Sequence, residues 1–254
     1  MAVRYNRRIE DMDQSGTALK SLFDTYMLSL RADGKSPATN RSYMEKLRGF
    51  HEWLEQRDYP PTLAQVSRDR VREFVLHLQE RDAKWPSHPY APITPQKLSP
   101  KTIQGYVRVL KTFSSWLFNE GYTDDNILQR YKLPKVPQKQ PEWLTHEEIQ
   151  RLLDAFDRKT TLGARDYAMV LTFLDSGLRC SEICDLLIES ADLDVGQLKV
   201  VGKGNKERIV PAGVRAVRAL RRYRDHFRPY LDSPYFFLSA EGRKLNVSTV
   251  QLMI

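Results

Sequence analysis

Only two cysteines occur in the 254 residues, Cys180 and Cys184. They stand four apart in a predicted helix, so they are no Cys-x-x-Cys pair, and no neighbouring histidine completes a zinc-like set; two reduced, half-buried thiols are expected. Long apolar runs are also missing. None approaches the roughly 18 residues a membrane span needs, and the start, Met1-Ala-Val-Arg-Tyr-Asn-Arg-Arg8, holds no apolar stretch that could act as a secretory signal. No Gly-x-x-x-x-Gly-Lys-Ser/Thr segment is present, which excludes a nucleotide-binding P-loop. The simplest expectation is a soluble, cytoplasmic protein without a metal or nucleotide cofactor.

Apolar residues make up 41% of the chain, enough for folded domains with their own cores. The formal charge of +8 is unevenly spread, with a net +7 over residues 1–140 and +1 over 141–254. Within the second half, residues 199–228 carry ten basic side chains against Glu207 and Asp225, which leaves 141–198 acidic. A field concentrated on particular segments fits a polyanionic partner such as a nucleic acid better than a general solubility charge does.

Tyr131-Lys-Leu-Pro-Lys-Val-Pro-Gln-Lys-Gln-Pro141 combines three prolines and three lysines with no acid, and reads as an extended basic connector. It divides a helical domain, 1–131, from a second domain, 143–254, with the linker at 132–142. Lys135 and Lys139 are expected to run along DNA.

Before the linker, apolar positions recur at helical spacing over 18–31, 37–56, 67–80 and 100–119. Two of these helices share a pattern. Ser36-Pro-Ala-Thr39, Tyr43, Leu47, Phe50, Trp53-Leu54 is matched 63 residues later by Ser99-Pro-Lys-Thr102, Tyr106, Leu110, Phe113, Trp116-Leu117. Each is a hydroxyl cap, a proline allowed in the first turn and an apolar stripe facing a core. Exposed backbone donors in those first turns, with Arg41, Lys46, Lys101, Arg108 and Lys111 near them, are candidate phosphate contacts. The Pro-rich stretch 84–98 has no periodicity and reads as a loop.

After the linker, Thr145 and Glu148 form a predicted capping box. Helices are expected at about 146–157, at 163–175 with a stop at Gly177, and from Arg179 to about Leu187. Leu198–Val201 and Arg208–Pro211 read as a short antiparallel hairpin through glycines, followed by a basic helix at 213–227 and a last one from Asn246 or Ser248. Arginines 215, 218, 221, 222, 224 and 228 encircle much of the basic helix, so some are expected to serve DNA and others solvent or Asp225.

The chemistry resides in two boxes. Arg179 opens a helix after a glycine stop, so its planar fork can grip two non-bridging phosphate oxygens, or else pair with Glu182 at the surface. In Gly202-Lys-Gly-Asn205, a glycine-bracketed tip lets Lys203 reach a groove and protonate a departing oxygen. Taken together, Ser176-Gly-Leu-Arg-Cys-Ser-Glu182, Gly202-Lys-Gly-Asn-Lys-Glu-Arg-Ile-Val-Pro211, the Leu-Thr-x-Glu-Glu start at 144–148 and the two Ser-Pro-x-Thr segments resemble the tyrosine recombinase family, the phage integrases and bacterial chromosome-dimer resolvases. The resemblance covers nearly the whole chain from Leu19.

It implies a mainly α fold: an N-terminal core-binding domain that clamps DNA, then an α+β catalytic domain with a small antiparallel sheet. It implies that Arg179 binds the scissile phosphate, that Glu182 orients that arginine, and that Lys203 protonates the 5′-oxygen leaving group. Lys206 and Arg208 are expected to contact the DNA backbone. The family next supplies a His-x-Leu-Arg box and a tyrosine that forms a 3′-phosphotyrosine link. No His-x-x-Arg follows Lys203, and Tyr223, Tyr230 and Tyr235 precede the place where those boxes belong.

The catalytic domain is therefore expected to be incomplete at its C-terminus, and this chain to bind DNA without cleaving it. Complete members act as homo-tetramers on DNA. This chain, without the exchanged C-terminal helix, is expected to be monomeric or weakly associated. Two other classes fit the same residues: a non-catalytic competitor at recombination sites, and a helix-turn-helix regulator.

Overall fold

The computed structural model describes residues 16–81, 97–138, 140–202 and 204–253. Lys139 and Lys203 lie outside the described residues, as does nearly all of the Pro-rich stretch. The chain divides into two compact units, Met1–Gln140 and Pro141–Ile254.

In the first unit, α1 spans Leu19–Ala32, α2 Pro37–Gln56, α3 Arg68–Glu80 and α4 Pro100–Asn119, with a 3-10 turn at Leu63–Gln65. The starts follow from local chemistry. Ser36 Oγ accepts the Thr39 N–H at 3.2 Å and Ser99 Oγ the Thr102 N–H at 3.1 Å, each with proline in the first turn. Ser67 caps α3 through the Arg70 N–H.

The repeated pattern becomes repeated packing. Phe50 stacks on Trp53 with ring centroids 5.8 Å apart, and Phe113 stacks on Trp116 at the same separation. The α2 pair then meets Phe74 of α3, while the α4 pair meets Tyr26 of α1. These rings are buried and form the centre of one core with the leucines of all four helices.

In the second unit, α5 spans His146–Asp154, α6 Thr161–Ser176 and α7 Cys180–Asp185. Strands β1 (Ala191–Asp192), β2 (Gln197–Gly202) and β3 (Lys206–Pro211) form an antiparallel sheet in that order, followed by α8 (Val214–Arg222), a π-turn (Tyr223–Phe227) and α9 (Val247–Met253). The protein is thus mainly helical with one small antiparallel sheet. The capping box is present in both directions, Thr145 Oγ1 accepting the Glu148 N–H and Glu148 accepting the Thr145 N–H.

Three boundaries differ from the sequence reading. Helices α5 and α7 end earlier than periodicity suggests, at Asp154 and Asp185. The basic helix loosens into a π-turn after Arg222. A two-residue strand, β1, adds an edge to the hairpin, and it is too short to leave a period-2 signal. The core of this unit joins Leu220 and Tyr223 to Phe236 and Phe237, with Tyr223 stacked on Phe237 at 5.5 Å. Among the described residues, no helix is long and apolar enough to cross a membrane.

Candidate phosphate-binding site

A left-handed glycine sets the position of Arg179. Gly177 has φ +61°, a conformation that costs an L side chain energy, and its N–H closes α6 on the Phe173 carbonyl. The chain turns, buries Leu178 and starts α7 with Arg179 as the residue before its first turn. The Arg179 side chain is 64% exposed, whereas that of Glu182, three residues on, is 2% exposed.

Glu182 is the centre of the site. Its carboxylate accepts the Arg179 backbone N–H at 2.8 Å and Arg179 Nη1 at 2.9 Å. It also accepts both ends of the Arg208 fork, at 2.6 and 2.7 Å. The Arg208 guanidinium, and then the Arg179 donors, hold the Glu182 carboxyl down at about 2, well below its ordinary 4.5, against the opposing effect of burial. A buried carboxylate is tolerated because every lone-pair direction meets a donor.

Gly202 makes this arrangement possible from the hairpin side. A Cβ there would stand 3.0 Å from Arg208 Nη1 and 3.2 Å from Glu182 Oε1, so a side chain at this position would press on the ion pair. Gly202 pairs with Lys206 at the end of the hairpin, with Gly204 and Asn205 in its turn. Gly204 and Asn205 there are both left-handed. The structure thus brings Arg179, Glu182, Arg208 and Gly202 together, with the Lys203 position next along the chain.

Arg208 is where the sequence reading and the geometry diverge in emphasis. The sequence puts it on the DNA backbone together with Lys206; in the structure it grips Glu182, while Lys206 is exposed. A signal existed: Arg208 alternates with Val210 on the less exposed face of β3. After Glu182 cancels one of the two arginines, the cluster retains one net positive charge. The Nε and Nη2 donors of Arg179 are left unpaired among the described residues. Such an open half-fork can take the oxygens of a phosphate.

The other candidates sort by what already holds them. Arg41, Lys101 and Lys135 are exposed, and Arg108 is exposed with a bond to Gln104. Lys46 donates to the carbonyl and hydroxyl of Ser42, and Lys111 to the carbonyls of Gln129 and Tyr131, so both lysines secure their own unit. Tyr223 is fully buried, its hydroxyl accepts the Leu238 N–H, and burial raises its pKa. Tyr230 is exposed, and Lys244 lies 4.6 Å from the Tyr235 ring centre. Among the described residues, no tyrosine hydroxyl bonds to Arg179, Glu182 or Arg208. Both cysteines are free, and burial pushes the Cys184 thiol up to about 11, far from a reactive thiolate.

Residues 142–254 match the model of the phage integrase family. A tyrosine recombinase XerC of Oceanobacillus iheyensis is 30% identical over 234 residues, covering 89% of this chain and 72% of that protein. The XerC of Halalkalibacterium halodurans is 32% identical over 207 residues, 81% of this chain and 63% of that one. The chain spans about half to three quarters of the length of the curated relatives it matches. In fold it is similar to lambda integrase bound to DNA, with a TM-score of 0.64 at 15% identity over 93% of this chain and 76% of that one. It is likewise similar to a lambda integrase tetramer bound to a Holliday junction, with a TM-score of 0.63 at 16% identity over 93% and 64% of the two chains.

Proposed function

The chain belongs to the phage integrase family of tyrosine recombinases, and on that premise we propose that it holds duplex DNA for site-specific strand cleavage and rejoining. The observation that carries this reading is the Arg179–Glu182–Arg208 cluster. A buried carboxylate, fully occupied by donors, fixes one arginine as a brace and leaves the other half-free and exposed.

In this reading the free donors of Arg179 bind the non-bridging oxygens of the scissile phosphate. They stabilise the charge that builds there as a tyrosine oxygen attacks phosphorus and the bond to the 5′-oxygen breaks. Lys203, at the hairpin tip, gives its proton to that leaving oxygen. Glu182 acts through Arg179, and Arg208 ties the hairpin strand to Glu182, so that Lys203 and Arg179 address one phosphate. The bond energy is kept in the phosphotyrosine link, and rejoining needs no nucleotide. The helical unit, with Arg41, Lys101, Arg108, Lys135 and Lys139, supplies further backbone contacts, and the whole protein works as a homo-tetramer on two DNA sites.

The nucleophile is none of Tyr223, Tyr230 and Tyr235. The 254 residues by themselves therefore bind DNA without forming a covalent link. Fluorescence anisotropy with duplex DNA and a nicked suicide substrate test both halves of this statement. Salt-dependent binding that weakens at least about tenfold in Arg179→Ala, with no covalent band, is expected once a charge-assisted phosphate bond is removed. Absence of DNA binding would overturn the reading, and a covalent band would show that a tyrosine of this chain is the nucleophile after all. A protein that only occupies recombination sites as a competitor is the second reading, favoured by the burial of Tyr223. It is distinguished by whether supplying the family's His-x-Leu-Arg and tyrosine boxes in trans yields cleavage.

A further inference from the structure

The arginines of α8 and of the turn that follows it, which in sequence encircle the predicted basic helix, separate into two sets in the structure. Arg221 donates to the Leu193 carbonyl and to Asp194, Arg224 pairs with Asp225, and Arg228 donates to the carbonyls of Ser233, Tyr235 and Phe236. These three secure the fold. Arg215, Arg218 and Arg222 line a groove of about 550 Å³ together with Arg158, Lys159 and Tyr167.

That groove is strongly and openly positive. Its five cationic side chains are all exposed, and Asp157 is the one acid on its wall. Among the described residues neither Arg215, Arg218 nor Lys159 forms an ion pair. Arg158 lies over the Tyr167 ring, 5.0 Å from its centre, and Arg222 over that of Phe227 at 5.2 Å, which braces their planes; Arg222 Nη2 also donates to the Arg158 carbonyl at 3.5 Å, which leaves its other donors open among the described residues. Like charges gathered this closely repel, and no ion pair among the described residues offsets that cost; an external anion would.

The groove is separate from the Arg179 site. The Asp175 carboxylate, at the end of α6, accepts the Gly213 N–H, so α8 begins beside the C-terminal end of α6. The groove starts at Arg215 in the first turn of α8 and runs towards Ala164 and Tyr167 near the opposite end of α6, and none of Arg179, Glu182 and Arg208 lines it. At about 1.5 Å per residue, Tyr167 to Ser176 alone is about 14 Å of helix.

We infer that this groove is a second DNA-backbone site, which takes a phosphodiester strand other than the one held at Arg179. Two features favour a strand over a single small anion or an acidic peptide. The α8 arginines stand at i, i+3 and i+7, a linear array rising by roughly 4.5 and 6 Å that suits repeated charges. Four of the five cations are guanidiniums, whose forks match phosphate oxygens. The inference rests on the DNA-binding reading above.

The test is the salt dependence of duplex binding by the whole 254-residue chain. Arg215→Gln, Arg218→Gln and Arg222→Gln combined should lower the slope of log affinity against log salt by about 3, roughly one for each phosphate no longer neutralised. The drop should be the same in an Arg179→Ala background, as expected of independent sites. Lys159→Gln, a single change on the facing loop, should lower it by about 1, and Arg221→Gln, whose guanidinium is held by Leu193 and Asp194, should leave it unchanged. Thermal melting of each variant verifies the fold. An unchanged slope in the folded triple variant, beside normal DNA binding by the parent chain, would overturn the second site and leave the Arg179 reading intact. Saturable binding of inorganic pyrophosphate or poly-glutamate to these arginines with the DNA slope unaltered would equally overturn it. If the parent chain itself does not bind DNA, the underlying reading fails first.

Discussion

The two units build their interiors from different materials. In the first, the described core is made of aromatic and aliphatic side chains, and Ser114 is the buried polar residue among those described, bonded to the Leu128 N–H and to Asn126. The second buries Arg165, Thr172 and Glu182. There Arg165 Nη1 donates to the Leu238 carbonyl, 73 residues on, and Arg208 reaches Glu182 across 26. An apolar core gains from any well-filled volume, whereas a buried charge is tolerable only with particular partners in place. The first unit can therefore be robust to polar chemistry while the second is not, and the second holds the proposed phosphate site.

That contrast can be broken experimentally. Phe113→Ala, at the stacked pair of α4, should cost the first unit about 3–5 kcal/mol, read as a lowered urea midpoint. Arg208→Ala should also lower the urea midpoint of the second unit, but by less than the loss of a fully buried pair would, because Arg208 is 37% exposed and Arg179 still covers part of Glu182. The same variant should weaken DNA binding, and Arg208→Lys should restore it only in part, since an ammonium cannot hold both carboxylate oxygens.

Acid should separate the units further. With its carboxyl held at about 2 rather than 4.5, Glu182 contributes stability that is fully present above about 4.5 and is lost as pH falls towards 2. The difference in melting temperature between the parent chain and Glu182→Gln should therefore shrink across that window. A difference that stayed constant from pH 5 to pH 2.5 would show that Glu182 is not paired as described. The smallest effect is expected at the caps: Ser99→Ala should cost about 1 kcal/mol, seen by denaturant unfolding of the first unit.

Much of the first unit was legible in the sequence. The expected helices 37–56 and 100–119 match α2 and α4, because a serine cap, a following proline and an apolar stripe are local signals. The stop at Gly177 was legible for the same reason, since only a left-handed residue ends the helix there. The two-residue β1, the π-turn after Arg222 and the early end of α7 were not, because tertiary contacts decide them. In the site, Arg179 and Glu182 stood out by their spacing. The grip of Arg208 on Glu182 did not, because it joins residues from a helix and a hairpin that only folding brings together.

By itself, then, the sequence determined which segments are helical, where most of them start, and which family the Arg179 and glycine-bracketed lysine boxes resemble. Those properties arise from backbone capping, periodicity and residue type within a few positions. The tertiary structure alone decided which arginines are structural and which remain open. A guanidinium is equally charged in either role, and only its distance from a carboxylate or a carbonyl separates the brace at Arg208 from the free half-fork at Arg179 and the uncompensated row along α8.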